Sequence, residues 1–575
     1  MIFDIKRILH RISSRIGPRH GGDVSAPALP TDWSILLAPH LDAWQQAVAR
    51  SQGGPRVLVA TSVGGHGAVT PVESMLAVAL TLRGAEVHIL LCDAFLPACM
   101  QATLKKESQH AGFVTGGPQT YLCVRCFAEG QALFAPLGLP IHRYSELVSA
   151  SEDSEAQRLA RLTPVAGIAD YRLDGLAVGE HAVAGALRYF ARGDLYAEAD
   201  GEAVLRRYFE ASVLATRAMQ RLCSDIEFEV ACFNHGIYVP QGLIGEVARQ
   251  RDVRVVNWNT AYRKQCFIFS HDDTYHHTLM HEPVAVWEHL PWTPEMERAT
   301  MDYLVSRWHG THDWVWFHEH PQDDLEQIVI DLELDMTKPI IGLLTNVMWD
   351  AQLHYPANAF PNMLDWVLRT IAYFEQRPEL QLVIRIHPAE IRGTIPSRQK
   401  IADEISRAYP KLPGNVFVIP PESQISTYAI MLKCDTVIIY GTKTGVELAS
   451  FGIPVIVAGE AWIRNKGVTL DATTAADYFA LLDRLPFGKP MDETTTTRAR
   501  KYAYHFFFRR MIPVSVMEPI AGWPPYRVRL PSLDLLQPGA DPGLDVICMG
   551  VLEGKDFVYP AERWLQSTPG ETAPG

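Results

Sequence analysis

The sequence predicts an α/β fold built from two doubly wound domains that face a central cleft and precede a C-terminal helical segment. Near the N-terminus, the strand-like run Arg56–Ser62 leads through a glycine loop and the helical pattern Pro71–Arg83 into a second strand, Ala85–Cys92. This order is a βαβ unit, which implies a parallel sheet. From Lys338 to Val457, short apolar strands alternate regularly with helical segments. Such alternation is typical of a Rossmann-like domain.

The length of the chain also predicts more than one domain. A chain of 575 residues exceeds what one hydrophobic core supports. With 47% hydrophobic and 20% charged residues, the composition is that of a globular protein. We expect an N-terminal helix and linker, two Rossmann-like domains, and a C-terminal helix with a tail, at residues 1–32, 33–335, 336–485 and 486–575.

Charge and composition exclude several functional classes. A formal net charge of −13 argues against nucleic acid as a partner, because phosphate backbones are bound by concentrated basic surfaces. We find no apolar run of about 18 residues that would span a membrane, and no secretory signal at the N-terminus. Nine cysteines, an odd number, fit reduced thiols. We therefore expect a cytoplasmic protein.

Residues 1–16 form a basic amphipathic pattern. Apolar side chains fall at helical spacing, with lysine and arginine between them, at Ile5, Ile8, Leu9, Ile12 and Ile16. A helix of this kind lies on an anionic membrane surface, which would place the protein peripherally at the inner face of the cell membrane. The alternative is a helix docked on the protein itself or on a second subunit.

A glycine-hydroxyl loop follows the strand that ends at Tyr440. It opens a helix with the residues Gly441, Thr442, Lys443, Thr444 and Gly445. Unpaired N–H groups at a helix start form a phosphate site, to which the two hydroxyls and the lysine add donors and charge. Glu447, in the first turns of that helix, would accept the hydroxyls of a ribose. The alternative is an ordinary connection whose threonines only cap the helix.

An earlier strand of the same domain ends in a His-Pro pair. Arg385, His387 and Pro388 lie at its carboxyl end, and therefore at the same sheet edge as the glycine-hydroxyl loop. The imidazole can donate to a phosphate oxygen, and the proline sets the turn beside it. The Arg385 guanidinium faces either the cleft or an internal carboxylate.

The first strand of this domain ends in a third group of candidate residues. Asn346 would bind phosphate or sugar hydroxyls, Trp349 would stack on a ring, and Asp350 would act as a base. The alternative places Trp349 in the core and makes Asp350 a helix cap.

The His-Pro pair and the glycine-hydroxyl loop together resemble the capsule polysaccharide biosynthesis transferases. They are also similar to CMP-sugar enzymes such as β-Kdo transferases and bacterial sialyltransferases. The resemblance spans roughly Lys338 to Gly459 and implies a GT-B glycosyltransferase without a required metal. It places His387 on the donor phosphate, and Thr442 and Thr444 where those families have serines.

The resemblance also assigns the two domains. Residues 336–485 would bind the nucleotide sugar, and residues 33–335 would face a surface polysaccharide or a lipid-linked glycan acceptor. A ribose-binding glutamate such as Glu447 is more typical of UDP-sugar enzymes. CMP and UDP therefore both stay open as the donor nucleotide.

The first domain offers its own candidates at strand ends. Gly64, Gly65 and His66 resemble the Gly-Gly-His loop of the lipid II-forming GlcNAc transferase, and glycines there let a backbone approach an acceptor or pyrophosphate. In an inverting transfer His66 would deprotonate the acceptor, with Glu73 as the competing base. His235, after another strand, would complete the acceptor side.

Four cysteines have spacing that suggests a structural zinc site, at Cys92, Cys99, Cys123 and Cys126. Only the second pair has the usual knuckle spacing, and buried free thiols are the alternative. The histidine-rich stretch between Ser270 and Glu282 also contains many metal-binding residue types. We interpret its histidines as structural polar groups.

Two other functions remain open at this stage. A CDP-polyol phosphotransferase of the teichoic-acid type also pairs a His-Pro motif with a later hydroxyl-rich loop. A non-catalytic polysaccharide-assembly subunit would have lost its nucleotide site. The complete set of loop, His-Pro pair and Glu447 favours an enzyme.

Overall fold

The computed structural model describes residues 31–107, 110–308, 310–314, 321–351, 356–520 and 524–565. The predicted amphipathic helix of residues 1–16 lies outside these residues. The predicted fold class is confirmed, because the chain forms two sheets of parallel strands with helices on their faces. None of the described helices has both the length and the apolar composition that a membrane crossing requires.

The first domain is built on a sheet whose order is β6-β5-β4-β1-β2-β3. Strands β1 to β5 are parallel, and β6 is antiparallel to β5. The strand bounds are β1 Arg56–Ser62, β2 Glu86–Leu91, β3 Ile141–Arg143, β4 Val230–Asn234, β5 Arg254–Thr260 and β6 Cys266–His271. All but the first residue of β1 and of β2 are buried, as expected for parallel strands covered on both faces.

The second domain contains a fully parallel sheet with the order β12-β11-β10-β7-β8-β9. Its strands are β7 Ile340–Leu344, β8 Gln381–Arg385, β9 Val416–Ile419, β10 Thr436–Ile439, β11 Val455–Val457 and β12 Leu470–Asp471. This is the Rossmann order, in which β8 and β9 are added on one side of β7 and β10 to β12 on the other, so that the strand order reverses between β7 and β10. Ligands of such sheets bind at the carboxyl ends of the strands.

Helices cover both faces of the first sheet. The longest, Gly201–Asp225, packs mainly against Val178–Phe190 and buries one apolar side. The other helices are Trp33–Leu37, Leu41–Ser51, Thr70–Leu82, His110–Gly116, Thr120–Phe134, Tyr144–Leu147, Ala150–Leu162, Gln241–Gln250, Tyr275–His281, Ala285–Glu288 and Pro294–Ser306. Short 3₁₀ turns lie at Ala38–His40, Ala135–Leu137 and Val165–Gly167.

Several helices of the second domain start at polar caps. Asn362 accepts the Asp365 N–H at 2.9 Å and so begins Met363–Glu375, which buries Trp366 and Phe374. The others are Leu325–Asp331, Ala389–Arg392, Ile401–Ala408, Thr427–Met431, Thr444–Ser450 and Ala475–Leu482.

The C-terminal segment joins the two domains. The helix Glu493–Tyr504 packs on Thr444–Ser450 of the second domain and on Pro294–Ser306 of the first. The chain continues through a π-helical turn, His505–Arg509, into β13, which adds antiparallel to β6. The remaining elements are β13 Ile512–Pro513, β14 Met517–Pro519, β15 Tyr526–Val528, the 3₁₀ turn Leu533–Leu536, and the helices Pro542–Glu553 and Glu562–Leu565. The segment therefore completes the first sheet after contacting the second domain.

Candidate active site in the cleft between the sheets

A cleft of about 580 Å³ lies where the carboxyl ends of both sheets meet. The first domain contributes residues that follow β1 and β4, and the second contributes residues that follow β7, β8 and β10. Predicted residues at the cleft are His66, His235, Asn346, Asp350, Arg385, His387, Pro388, Gly441, Thr442, Lys443 and Thr444. Most of the predicted donor-site residues therefore share one wall, as their positions at strand ends imply.

His387 is held in one tautomer by its own turn. The backbone N–H of His387 donates to Thr345 Oγ1 at 3.1 Å, and His387 Nδ1 accepts the Ala389 N–H at 3.0 Å. Because Nδ1 accepts, the neutral imidazole carries its proton on Nε2. In this tautomer Nε2 is the donor nitrogen of the ring.

The glycine-hydroxyl loop presents two hydroxyls side by side. Thr442 Oγ1 and Thr444 Oγ1 are 3.3 Å apart, and the Thr444 N–H donates to Thr442 Oγ1 at 3.4 Å. Asn346 Nδ2 donates to the Gly441 carbonyl at 3.4 Å, which connects the ends of β7 and β10. The hydroxyls, the amide and His387 form a donor set suited to phosphate.

Glu447 lies behind the cleft wall and is not part of its lining, so the predicted ribose contact needs correction. Its carboxylate is buried, accepts the Tyr428 hydroxyl, and lies 3.2 Å from Arg307 Nε and 3.5 Å from Lys443 Nζ. Burial opposes ionisation, but Arg307 and Lys443 outweigh it and lower the pKa of Glu447. The glutamate therefore stabilises an internal ion cluster. Arg307 comes from the first domain, which the local sequence around Glu447 does not indicate.

Arg385 supports the cleft wall through its neighbouring loop. Its guanidinium is 1% exposed and donates to the carbonyls of Pro420 at 2.6 Å and Ser423 at 3.2 Å. Its Nε also donates to Thr427 Oγ1 at 3.4 Å. Burial lowers the pKa of Arg385 to about 10. Arg385 thus positions the 420–427 loop, which also lines the cleft.

One hydrogen bond connects the two walls of the cleft. The Tyr238 hydroxyl of the first domain donates to Asp350 Oδ1 at 2.8 Å and accepts the Ala351 N–H at 2.9 Å. The adjacent Trp349 is nearly buried and donates from Nε1 to Ser397 Oγ at 3.1 Å. Asp350 is therefore a carboxylate oriented at the junction of the two domains.

The three predicted bases, His66, Glu73 and Asp350, differ in their position relative to the cleft and in their surroundings. Burial, together with the positive charge of Arg188, lowers the pKa of His66 to about 3, so its ring is a weak proton acceptor at neutral pH. Glu73 is fully buried away from the cleft and accepts Trp258 Nε1–H at 3.0 Å. Burial raises the pKa of Glu73 to about 7. Of the three, Asp350 alone combines a cleft position with a carboxylate.

His235 lines the first-domain wall of the cleft, and its predicted role on the acceptor side stays a prediction. It follows β4 with a backbone φ of 66°, in the left-handed region, and its ring centre is 4.9 Å from that of Tyr238. Burial lowers the pKa of His235 to about 4, although Asp350 opposes the shift. The ring is therefore neutral at physiological pH.

Three predicted glycines are needed for packing, which corrects their assignment to ligand contacts. A Cβ on Gly64 would lie 2.5 Å from the Cys126 carbonyl, and one on Gly445 would lie 2.5 Å from Ile439 Cδ1. Gly65 N–H donates to Cys126 Sγ at 3.1 Å. The Gly-Gly pair therefore faces the helix Thr120–Phe134, because a strand-end loop and a helix approach there more closely than side chains allow.

The four cysteines of the suggested zinc site are free thiols in the structure, namely Cys92, Cys99, Cys123 and Cys126. Burial and neighbouring thiols raise the pKa of Cys92 to about 12 and that of Cys126 to about 11. In the part of the chain that the structure describes, no three His, Cys, Asp or Glu side chains are grouped to hold a metal ion. The zinc site stays a prediction, which metal analysis of the purified protein would test.

Two cleft residues have no sequence motif to mark them. Glu460 lines the cleft, accepts the Ala357 N–H at 3.2 Å, and lies 3.2 Å from His277 Nε2. Asp273 and Glu460 outweigh burial and raise the pKa of His277 to about 9, consistent with a structural role for this histidine. Arg188 reaches the cleft from a helix of the first domain. These residues converge only through tertiary packing.

Two Rossmann-like domains that face a central cleft define the GT-B class of architecture. Residues 315–486 match the family model described as capsule polysaccharide biosynthesis protein. The resemblance to capsule polysaccharide biosynthesis transferases is thereby confirmed for this part of the chain. No curated protein sequence matches the chain.

Solved structures with similar chains include two transferases and an epimerase. The β-Kdo 2,4 transferase of Thermosulfurimonas dismutans KpsC matches at 14% identity and a TM-score of 0.31, over 48% of this chain and 79% of its own. The β-Kdo 2,7 transferase of the same protein matches at 12% and 0.30, over 56% and 88%. The UDP-GlcNAc 2-epimerase of Neisseria meningitidis matches at 8% and 0.23, over 78% and 95%.

Proposed function

We propose that this protein is a glycosyltransferase that moves a sugar from a CMP- or UDP-linked donor to a surface polysaccharide or a lipid-linked glycan. One observation carries the proposal. Hydroxyl, amide and imidazole donors of the second domain line the same cleft as Asp350, whose carboxylate accepts the Tyr238 hydroxyl of the first domain. The family match over residues 315–486 covers these second-domain residues and supports the proposed glycosyltransferase function.

Asn346, His387, Thr442 and Thr444 form what we call the donor wall of the cleft. The donor wall would bind the phosphate that leaves during transfer. His387 donates from Nε2, Thr442 and Thr444 donate from their hydroxyls, and Asn346 adds an amide. Donors placed before the reaction stabilise the negative charge that grows on the leaving phosphate. Arg385 keeps the adjoining loop in place for this contact. As proposed, this charge is met by the chain's own groups, without a catalytic metal.

Asp350 would act as the base in an inverting transfer. It takes the proton from the acceptor hydroxyl while that oxygen forms a bond to the anomeric carbon and the bond to the nucleotide phosphate breaks. The Tyr238 hydroxyl fixes the direction of the carboxylate. Because Tyr238 and Asp350 belong to different domains, this geometry depends on how the domains pack.

Nucleotide titrations test the proposed function directly. Isothermal titration with CMP, UDP and CDP-glycerol should show binding of a sugar-donor nucleotide, and His387→Ala should weaken it by about tenfold or more. His289→Ala changes an exposed histidine outside the cleft lining and serves as the matched control. If CMP and UDP both fail to bind the unaltered protein, the proposal is wrong. Turnover of CDP-glycerol would instead identify a polyol phosphotransferase.

A further inference from the structure

Three nitrogen-bearing side chains of the first domain meet on the cleft wall opposite His387. Arg188 comes from the last turn of the helix Val178–Phe190, His66 follows β1, and His235 follows β4. The Arg188 guanidinium carbon lies 5.0 Å above the centre of the Tyr238 ring. A helix end and two strand ends thus bring a cation and two imidazoles to one place.

Each of these side chains has a buried nitrogen without a hydrogen-bond partner. The atoms are Arg188 Nη1, His66 Nδ1 and His235 Nδ1. Arg188 also forms no ion pair with the carboxylates that the structure describes. Buried polar groups are nearly always satisfied, and a buried charge is expensive without a counter-charge. Three such atoms on one wall indicate a partner from outside the chain.

The charge of the wall defines that partner. Arg188 is a permanent cation, and it contributes to the lowered pKa of both His66 and His235. The histidines are therefore neutral and offer ring N–H donors without adding charge. The negative charge of Asp350 acts on His235, and Asp350 Oδ1 accepts the Tyr238 hydroxyl. A single cation with neutral donors around it suits an oxyanion.

We propose that Arg188, His66 and His235 form an oxyanion site for an anionic group of the acceptor, a phosphate or a carboxylate. The inference rests on the proposed function, because it names the acceptor as an anionic molecule. The site lies on the first domain, across the cleft from the donor phosphate site of His387 and the glycine-hydroxyl loop. It would place the acceptor hydroxyl near Asp350 by holding the charged group beside it.

The test separates the two anion sites. Inorganic phosphate and acetate are titrated into protein saturated with the nucleotide that binds, and into the His387→Ala variant without nucleotide. We expect a saturable anion site in both, which Arg188→Gln weakens by about tenfold or more. Preference between phosphate and acetate tells a phosphorylated acceptor from a carboxylated one. Arg221→Gln, at an arginine whose side chain is 51% exposed, is the matched control.

Two further measurements keep the result interpretable. Nucleotide affinity should change by less than about twofold in Arg188→Gln, since the donor site lies on the other domain. The melting temperature without ligand should not fall, because the variant removes an unpaired charge, while the stabilisation by phosphate should disappear. If Arg188→Gln does not fold, Arg188→Lys and His66→Gln should each weaken anion binding in the folded protein.

Different results overturn different statements. If nucleotide binds but Arg188→Gln leaves anion affinity unchanged, the oxyanion site is wrong and the transferase proposal stands. If Arg188→Gln weakens nucleotide binding as strongly as anion binding, Arg188 belongs to the donor site and the inference is also wrong. If no nucleotide binds, the proposed function fails, and the phosphate titration of His387→Ala still decides whether Arg188 holds an anion.

Discussion

The hydroxyl of Tyr238 donates to the carboxylate of Asp350 at 2.8 Å, across the cleft that separates the two domains. The same hydroxyl accepts the backbone N–H of Ala351, so its proton is directed at the carboxylate. The candidate base is therefore oriented by the opposite domain. Any change in domain packing would change the direction of Asp350.

Asp350→Asn should abolish most transfer while leaving the donor site intact. We expect kcat/KM to fall by about one hundred to ten thousand-fold, the range for loss of a general base. Nucleotide affinity, measured by titration, should stay within about twofold. Asp331→Asn, at an exposed residue outside the cleft lining, is the control. Full activity in Asp350→Asn would remove Asp350 from the mechanism.

Tyr238→Phe should reduce activity without removing the base. The variant keeps the aromatic ring under Arg188 and loses the hydroxyl that orients Asp350. We expect kcat to fall by about tenfold with a smaller change in KM, which is the cost of one charge-assisted hydrogen bond. If kcat is unchanged, the interdomain hydrogen bond has no positioning role.

Arg385→Gln should act through the 420–427 loop. Its guanidinium satisfies the carbonyls of Pro420 and Ser423, so the variant leaves buried acceptors unpaired. We expect a loss of about 1–3 kcal/mol in the free energy of unfolding, measured in urea, and weaker nucleotide binding. Arg369→Gln removes a half-exposed guanidinium and controls for charge. Weaker nucleotide binding at unchanged stability would contradict the indirect role and indicate direct contact.

Glu447→Gln should destabilise the fold without affecting ribose recognition. The variant leaves the buried Lys443 without its carboxylate, whereas Arg307 keeps its ion pair with Asp313, and we expect a cost of about 3 kcal/mol. The pKa of Glu447 is lowered in the folded protein, so its contribution is present above the ordinary value of 4.5 and is lost as the pH falls through the folded pKa. Unfolding in urea across this pH range measures the effect.

Glu447→Gln also tests whether Glu447 contacts the ribose of the nucleotide. The ratio of affinities for a ribonucleotide and its 2′-deoxy analogue should be the same in Glu447→Gln and in the unaltered protein. A ratio that collapses toward one would show that Glu447 binds the ribose after all.

Glu73→Gln should remove a loss of stability that accompanies rising pH, whereas Glu447 contributes stability that is lost as the pH falls. Burial raises the pKa of Glu73 to about 7 in the folded protein, above its ordinary value of 4.5. The folded state therefore holds the proton more tightly, and stability falls as the pH rises from 4.5 to 7, by on the order of 3 kcal/mol. In the variant this slope should be absent in urea unfolding, with activity near that of the unaltered protein. A large loss of activity at retained stability would indicate that Glu73, and not Asp350, is the base.

Strands with strong apolar patterns were predictable along the chain. The run Arg56–Ser62 and the run Val416–Ile419 match the observed β1 and β9, because consecutive buried residues between turn signals leave little choice. The strand β6 was not predicted from the sequence, and neither were the short strands β3 and β13. With three and two residues each, they are stabilised by pairing with β2 and β6 rather than by their own pattern.

The candidate site likewise contains residues whose position the sequence predicts and residues whose position it does not. His387, Thr442 and Asn346 follow strands of one parallel sheet, and parallel topology alone places them at one edge. Glu447 also lies close to the carboxyl end of a strand of this sheet, on the helix that follows β10. It turns into the interior because Arg307 arrives there from the first domain. Its local pattern is the same whether the carboxylate faces a ribose or an arginine.

By itself, the sequence determined two Rossmann-like domains, a donor wall at the carboxyl ends of β7, β8 and β10, and the likeness of that region to capsule polysaccharide transferases. These features depend on local periodicity and on residues a few positions apart. Only the tertiary structure decided that Asp350 is oriented by Tyr238, that Glu447 is buried in an ion cluster, and that Arg188 lies unpaired beside two histidines. Burial and charge pairing between segments that are distant in the sequence depend on how the chain packs, which no local pattern encodes.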